Sequence, residues 1–159
     1  MNMSKKLRIG WFSFSCCEDS TIIFTELLND HYQEWRKKLA FCSCGIIQKR
    51  NDFKDLDVSF VEGAIASKEQ EEKLKKIRSV SKKLVAVGAC AVVGLPSGQR
   101  NNFEAKTIEE INPILMRFNY SDKVKKISEV VKVDDVIPGC PMDEKKFLEI
   151  LNKYLIEFQ

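Results

Sequence analysis

Leu84-Val-Ala-Val87 is the stretch that decides the fold class. It is short and entirely apolar, which is typical of a strand buried on both faces of a parallel sheet. Leu56-Asp-Val-Ser-Phe-Val61 is similar, being apolar and rich in β-branched residues. Between them, Ser67-Lys-Glu-Gln70 resembles a capping box and predicts a charged helix that ends near Ser79. Strand, helix and strand in this order favour an α/β sheet.

The alternation of strand and helix continues in both directions from this unit. Before the unit, the sequence predicts a strand over Leu7–Phe14, a helix from Asp19 to about Leu39 capped by Asp19, Ser20 or Thr21, and a strand over Ala40–Ile47. After it, the sequence predicts a partly helical segment from Phe103 to about Phe118, disturbed by Pro113, and an edge strand over Val130–Val133. The last predicted element is an amphipathic closing helix from Met142, behind Pro141, to about Phe158. This order predicts one domain over residues 1–159, a doubly wound, mostly parallel sheet with helices on both faces. In such sheets the working crevice lies beyond the carboxyl ends of the strands.

Composition and charge exclude several classes of function. The 26 basic and 23 acidic residues leave a net charge of +3, which is too small to argue for nucleic acid as a partner. The basic stretches Lys73–Arg78 and Lys123–Lys126 have acids nearby, so we expect a solvated helix face or strand rim.

Targeting signals are also not evident in the sequence. No apolar run reaches the roughly 18–20 residues that cross a bilayer, so we expect no transmembrane segment. The start, Met1–Ile9, passes into a strand-like segment without an apolar core, a cleavage site or a twin arginine. We therefore expect a cytoplasmic protein, or one on the cytoplasmic side of an assembly.

Six cysteines and a single histidine direct attention to metal or redox chemistry. In a reducing compartment structural disulfides are not expected, and one histidine nearly excludes a mixed Cys/His zinc finger. Cys42 and Cys44 lie two apart in a predicted strand, hence on one face, where core packing is favoured over metal binding. His31 is expected at the surface or its boundary, and Trp11 in the core.

The other four cysteines follow strand ends. Cys16 and Cys17 follow the first strand, Cys90 follows Leu84–Val87, and Cys140 lies in the loop before the last helix. Glu62 follows the third predicted strand, so all these groups can face one crevice. The separations of 73 and 50 residues between them are far too large for a local zinc knuckle.

Four thiolates are the usual ligands of a 4Fe–4S cluster. Gly88, Ala89 and Gly139 would let the backbone approach such a cluster and leave amides free to donate to sulfur. Helix N-termini after Cys17 and Cys140 would add partial positive charge. The alternative is that these four are buried core cysteines, a common environment for the residue.

Four segments together resemble a known family: the small subunits of nickel–iron hydrogenases and the homologous 20-kDa cluster subunit of complex I. The segments are Trp11-Phe-Ser-Phe-Ser-Cys-Cys17, Asp57-Val-Ser-Phe-Val-Glu-Gly-Ala64, Val87-Gly-Ala-Cys-Ala91 and Pro138-Gly-Cys-Pro141. The resemblance covers most of the chain and implies a flavodoxin-like domain, in agreement with the predicted sheet.

The sequence combines features of both branches of that family. Hydrogenase small subunits usually open with Cys-x-x-Cys, whereas here Phe14 holds the first position and Cys16-Cys17 looks like the tandem pair of the complex I subunit. Val61-Glu-Gly-Ala64 instead looks like the hydrogenase pattern. The sequence is thus similar to the energy-converting or cytoplasmic hydrogenases. Because no further cysteine-rich region follows Cys140, one cluster is expected.

The resemblance implies an electron-transfer subunit rather than a catalytic chain. Its 4Fe–4S cluster would pass electrons between a large subunit that carries a nickel–iron centre and an iron–sulfur or flavin subunit. The implied site comprises the ligands Cys16, Cys17, Cys90 and Cys140, the close-approach residues Gly88 and Gly139, and Glu62. Glu62 would shape the interface or relay protons, or would instead cap amides at a helix entry.

Three alternatives remain open at this point. The first is a complex-I-like module whose cluster reduces a quinone, and the second is a zinc-binding interaction domain that uses the same four thiolates. The third is a thiol redox sensor built on Cys16 and Cys17, although adjacent cysteines are awkward partners for a disulfide.

Overall fold

Five parallel strands form the sheet that organises the chain. The computed structural model describes residues 5–48 and 52–158; Met1–Ser4, on which part of the export-signal expectation depends, lie outside them. The strands of this sheet are β1 (Leu7–Ser13), β2 (Leu39–Cys44), β3 (Leu56–Glu62), β5 (Ser81–Val87) and β7 (Asp135–Ile137). Their spatial order is β2-β1-β3-β5-β7 and every pair is parallel, which is the order of a flavodoxin-like doubly wound sheet. The predicted fold class is confirmed.

Helices cover both faces of this sheet. The helices in the described part of the chain are α1 (Asp19–Asp30), α2 (Tyr32–Lys38), α3 (Lys68–Ser79), α4 (Gly88–Val93), α5 (Ala105–Arg117) and α6 (Glu144–Glu157). Buried side chains of α1, α2 and α6 join one hydrophobic cluster, and those of α3 and α4 join another. Trp11 and Phe12 of β1 enter different clusters, because successive side chains of a strand point to opposite faces.

Trp11 is the centre of an aromatic core, as predicted. Its ring stacks on Phe24 of α1 at a centroid distance of 4.2 Å and meets Phe147 of α6 edge-on at 6.1 Å. Such aromatic pairs contribute beyond the area that they bury. The core therefore fixes α1 and α6 against the strand that leads into the first cysteine pair.

The predicted long helix from Asp19 to Leu39 is wrong in one respect, because it is broken at His31 into α1 and α2. Asn29 and Asp30, just before the break, are weak helix formers. After the break, α2 buries Trp35, on which the half-buried His31 ring stacks at 5.1 Å. His31 is thus a boundary residue, as expected.

The predicted edge strand over Val130–Val133 is also wrong. The side chains of these valines pack against the cluster on the α3 face. The edge strand that pairs with β5 is β7, further along the chain. Asp134, directly before β7, is hydrogen-bonded to β5. Its amide donates to Leu84 O (2.8 Å) and its carboxylate accepts from the Leu84 amide (2.9 Å). The apolar residues of 130–133 pack against the core, and the residues that follow them form the edge strand of the sheet.

A small second sheet was not predicted from the sequence. It pairs β4 (Ile65–Ser67) with β6 (Tyr120–Lys125) in antiparallel fashion. The basic stretch 123–126 therefore contributes to a strand rim, where Lys125 pairs with Glu71 of α3 at 2.9 Å. The expectation of a solvated rim and helix face is confirmed for both basic stretches.

Helices α3 and α6 begin close to the positions predicted for them. Ser67 caps α3 by accepting from the Gln70 amide (3.2 Å), although the Gln70 side chain accepts from the Ala66 amide (2.8 Å) rather than from the cap itself. In α6 the cap is Asp143, which accepts from the Lys146 amide at 2.8 Å. The closing helix thus starts after the predicted Met142.

A β-bulge separates Cys42 from Cys44 and overturns their predicted placement on one face. Ile9 pairs with Phe41 but Gly10 pairs with Ser43, so Cys42 is an extra residue in β2. Cys44 consequently lies in the cluster on the α1 face, while Cys42 packs against the cluster on the α3 face. The expectation of packing is confirmed for both.

Among the described residues, no helix has both the length and the apolar character needed to span a bilayer.

Helix α5 contains Pro113 and has no fully buried side chain.

Stability at low pH should depend on Asp57, a buried carboxylate at the start of β3. Burial alone would raise the pKa of Asp57, but Lys82 (2.7 Å) and the Arg8 amide (3.0 Å) donate to it and hold the pKa below its usual range. Because the folded pKa is depressed, this contribution is present above the unfolded value of about 3.9 and is lost as the pH falls through the folded pKa. At pH 7, Asp57→Asn should lower the free energy of unfolding by about 1 to 3 kcal/mol.

Urea unfolding at pH 7 and at pH values below 4 measures this effect. The difference between the parent chain and Asp57→Asn should shrink at low pH. Asp30→Asn, which changes an exposed carboxylate on α1, is the control and should change stability by less than about 0.5 kcal/mol. A difference for Asp57→Asn that stays constant with pH would contradict the assignment.

Candidate metal centre

Loops from four strand ends meet at the carboxyl edge of the sheet. Cys16 and Cys17 follow β1, Glu62 ends β3, Cys90 lies in α4 after β5, and Cys140 follows β7. All of these residues, with Gly88 and Gly139, line one narrow cleft. The structure thus brings every predicted site residue together, while their role as ligands stays a prediction. The cleft lies where the order of a doubly wound sheet reverses, beside β1 and β3.

The loop with the first two cysteines is attached to the loop after β3. Ser15 and Ala64 exchange two backbone hydrogen bonds of 3.0 Å, immediately before Cys16. The turn between β3 and Ala64 needs Gly63, which has φ of +91° and where a Cβ would lie 2.9 Å from the carbonyl carbon of Phe14. The position of Cys16 is therefore set by β3 as well as by β1.

The loops after β5 and β7 are joined to each other through two glycines. The Ala89 amide donates to Gly139 O at 2.7 Å, so this amide is not free to donate to sulfur, contrary to the sequence-based expectation. Gly88 has φ of +80° and a Cβ there would lie 2.9 Å from Ser20 Oγ; Gly139 has φ of +109° and a Cβ would lie 2.5 Å from Pro141 O. Both positions require glycine because of the backbone.

Ser20, in the first turn of α1, contacts both the loop after β7 and the start of α4. Its hydroxyl accepts from the Met142 amide at 3.2 Å, directly behind the Cys140 loop, and lies against Gly88. One buried hydroxyl therefore contacts the loops that carry Cys90 and Cys140.

Glu62 caps α1 from the neighbouring strand. Its carboxylate is buried and accepts from the Ser20 amide (3.1 Å) and from the Thr21 hydroxyl (2.6 Å). The predicted local cap by Asp19, Ser20 or Thr21 is thus wrong; the structural N-cap is Glu18, whose side chain makes no capping hydrogen bond. The capping role considered for Glu62 is confirmed, and its proton-relay role stays a prediction.

Thr21 connects Glu62 to the aromatic core. Its hydroxyl accepts from Trp11 Nε1 (2.8 Å) while it donates to the Glu62 carboxylate. A hydrogen-bonded chain therefore runs from the core tryptophan to the edge of the cysteine cleft. Because every member is satisfied, this buried network favours a single arrangement of the first turn of α1.

The N-termini of the helices near the cysteines already have carboxylate acceptors from this chain. In α1 the Ser20 amide donates to the Glu62 carboxylate. Helix α6 begins at Glu144, four residues beyond Cys140, and the Asp143 side chain accepts from its Lys146 amide. The expectation that these helix starts supply positive charge to a cluster is therefore weakened at both positions.

The four thiols differ in exposure. Cys90 is buried and Cys16 half-buried, whereas Cys17 and Cys140 are exposed, so the alternative of four buried core cysteines is wrong. Burial, followed by the negative charge of Glu62, raises the pKa of the Cys16 thiol to about 12. A thiol in this position stays protonated at neutral pH until a metal replaces the proton.

The residues that line the cleft are suited to a thiolate-bound metal group. Four cysteine thiols line it. Four thiols are one of the ligand sets of zinc and the usual ligand set of an iron–sulfur cluster, which is a larger body than one ion. The positive-φ glycines of the cleft also allow the backbone to approach such a body closely.

Ser97 is a site residue that the sequence analysis missed. Its hydroxyl oxygen lies 3.2 Å from Cys90 Sγ and 2.8 Å from Ser15 O. Ser20 and Thr21 were considered only as caps of their own helix. A serine in a polar loop and hydroxyls in a first helical turn are common, so no sequence signal singles out these contacts.

Glu62→Gln should destabilise the first turn of α1. The amide oxygen could still accept from the Ser20 amide, but it is a weaker acceptor than a carboxylate oxygen, and the amide nitrogen would make the Thr21 hydroxyl accept where it now donates. We therefore expect a loss of about 1 kcal/mol in unfolding free energy. Urea unfolding measures this loss. The control Glu26→Gln changes an exposed carboxylate on the same helix, and an equal loss in both variants would contradict the capping role.

Comparisons with known proteins agree with this geometry. A family model described as NADH ubiquinone oxidoreductase, 20 Kd subunit, matches residues 16–154. The chain is 27% identical to the NAD-reducing hydrogenase HoxS subunit delta of Cupriavidus necator, over 95% of this chain and 79% of that protein. It is 31% identical to a subunit of the F420-non-reducing hydrogenase of Methanothermobacter marburgensis, over 87% of this chain but only 50% of that protein, so it spans about half the length of that relative.

A solved structure extends the likeness to the fold. The chain superimposes on a chain of an NAD+-reducing NiFe-hydrogenase in the H2-reduced state with a TM-score of 0.83, at 22% identity, covering 98% of this chain and 94% of that one. At this identity the match is evidence for the shared fold alone.

Proposed function

This chain belongs to the family of the 20-kDa subunit of NADH ubiquinone oxidoreductase, and from that membership we propose that it is the electron-transfer small subunit of a nickel–iron hydrogenase-type complex. In this proposal the chain is a single domain that holds one 4Fe–4S cluster. The observation that carries the proposal is that Cys16, Cys17, Cys90 and Cys140, from three separate loops, line one cleft. The relatives named as hydrogenase subunits support the choice of complex.

The four thiolates would ligate the cluster, which when bound takes up and releases one electron. Gly88 and Gly139 would let their loops lie against it, since neither residue has a side chain that could come between the backbone and the cluster. Glu62 would hold the α1 turn behind the Cys16-Cys17 pair, and its buried charge next to Cys16 disfavours further negative charge there. The work of this chain is thus to position and insulate the cluster, without bond-making chemistry.

A large subunit that carries a nickel–iron centre is the proposed partner at the open side of the cleft. Cys17 and Cys140 are exposed there, and a cluster held by exposed thiols needs a protein cover to exclude water. Exposed apolar side chains follow closely in sequence: Ile22 after Cys17, and Val93 and Leu95 after Cys90. An iron–sulfur or flavin subunit would exchange electrons with the cluster in turn, in a complex located in the cytoplasm or on the cytoplasmic face of a membrane.

A second candidate keeps the cluster but changes the partner. The family description itself, NADH ubiquinone oxidoreductase, favours a complex-I-like module in which the cluster reduces a quinone. Anaerobic co-purification separates the two, because a nickel-containing companion supports the hydrogenase-type complex and a nickel-free companion with quinone reductase activity supports the second candidate.

Metal analysis of the same preparation tests the cluster. We expect about four iron atoms per chain and an electron paramagnetic resonance signal after reduction. Zinc in place of iron would support the zinc-binding alternative, and a folded chain that is free of metal after anaerobic handling would overturn the proposal.

Cys140→Ser should lose or strongly destabilise the cluster, because it removes one of four ligands. Cys42→Ser is the matched control: Cys42 is a half-buried cysteine in the β2 bulge and lines no part of the cleft. Iron content and the reduced-state signal should fall in the first variant and persist in the second. Loss of iron in both variants would show that the ligand set is wrong.

A further inference from the structure

The hydroxyl of Ser97 is in contact with the sulfur of a proposed ligand. Its oxygen lies 3.2 Å from Cys90 Sγ, a hydrogen-bonding distance for sulfur, in a half-buried position. The same oxygen lies 2.8 Å from Ser15 O, in the loop that leads to Cys16. Ser97 therefore lies between the loops that carry two of the four cysteines.

The turn that carries Ser97 is built to hold it in place. The turn is closed by hydrogen bonds from Gly94 N to Cys90 O (3.1 Å) and from Gly98 N to Gly94 O (2.8 Å). At Gly98 a Cβ would lie only 2.4 Å from Gly94 O, so the chain can close this tightly only with glycine there. The end of helix α4, which contains Cys90, and the serine thus form one unit.

The segment after the turn is anchored to β6. The side chain of Asn101 donates to Val124 O (2.7 Å) and accepts from the Val124 amide (2.8 Å), while the Asn101 amide donates to Gly98 O at 2.9 Å. This anchor holds the backbone that carries Ser97 in place next to α4.

A serine hydroxyl has one proton to donate, and two acceptors lie within reach. When Cys90 is a thiol it can donate to Ser97 Oγ, and the serine can donate to Ser15 O. When Cys90 is a thiolate bound to iron it can only accept, so the serine proton is the donor available to it. A hydrogen bond to a charged acceptor is stronger than one to a neutral carbonyl, which favours the sulfur.

We propose that Ser97 donates a hydrogen bond to Cys90 Sγ of the loaded cluster and raises its reduction potential. The electron enters from one redox partner and leaves to another, and no bond of this chain is made or broken. Because the added electron increases the negative charge on the sulfur ligands, the bond is stronger in the reduced state, and hydrogen bonds to sulfur are one of the determinants of cluster potential. Ser97 is a tuning residue, and this inference depends on the proposed cluster.

A potentiometric titration followed by electron paramagnetic resonance tests the proposal on the anaerobically purified complex. In Ser97→Ala the midpoint potential of the cluster should fall by the equivalent of a roughly tenfold change in the reduction equilibrium, ~59 mV for one electron. Ser97→Thr keeps the hydroxyl and should restore most of the parent value. Equal potentials in the alanine variant and the parent protein would overturn the proposal.

The control variant is Ser15→Ala. The Ser15 side chain is near the same loop but hydrogen-bonds to Gln70 at about 3.1–3.2 Å rather than to a sulfur. The potential should therefore change much less in Ser15→Ala than in Ser97→Ala. An equal fall in both would indicate general loosening of the loop and would contradict the specific role of Ser97.

A second measurement detects the hydrogen bond itself rather than its effect on the potential. Pulsed resonance spectra of the reduced parent complex, recorded after exchange into D2O, should contain a deuteron coupled to the cluster that is absent in Ser97→Ala. A parent cluster with no coupling of this kind would overturn the inference while leaving the proposed function intact. A parent complex that contains no iron–sulfur cluster would overturn both.

Discussion

The carboxylate of Glu62 is the contact on which the arrangement of the cleft depends. It ends the fully buried strand β3 and satisfies the Ser20 amide and the Thr21 hydroxyl, so the first turn of α1 is attached to the centre of the sheet. Ser20 then contacts the loops after β5 and β7. A buried carboxylate is costly unless it is hydrogen-bonded. The helical turn that satisfies Glu62 also carries the Ser20 hydroxyl that contacts the cysteine loops.

The cleft combines a rigid backbone with exposed ligands. Gly63, Gly88 and Gly139 all have positive φ and neighbours that exclude a side chain, so the loops are fixed from behind. Cys17 and Cys140 nevertheless lie at the surface. A site that is ordered on its inner side and open on its outer side is suited to a cofactor that another subunit covers, since short separation from a partner and exclusion of water are both needed for electron transfer.

Hydroxyl groups supply much of the polar contact around the thiols. Ser97 contacts Cys90 Sγ itself, while Ser20 bonds to the loop behind Cys140 and Thr21 connects the side chains of Trp11 and Glu62. None of these three hydroxyls carries charge. Burial, followed by the negative charge of Glu62, raises the pKa of the Cys16 thiol. The balance between a negative surrounding, which disfavours an added electron, and a donor at Cys90, which favours it, is the means by which this chain would set the potential of a bound cluster.

The sequence by itself determined the parallel sheet and the position of the cysteines at strand ends, because apolar strand segments and the order of elements are local properties of the chain. Leu84–Val87 and Leu56–Val61 identified buried strands, and Gly88 and Gly139 were expected to let the backbone approach a cluster, whereas their positive φ appeared only in the structure. Only the tertiary structure decided which groups meet. The cap of α1 comes from another strand, the Ala89 amide is taken by Gly139, and a bulge turns Cys42 away from Cys44. Ser97 reaches Cys90 through a turn closed by glycine, and such long-range hydrogen bonds leave no periodic signal in the sequence.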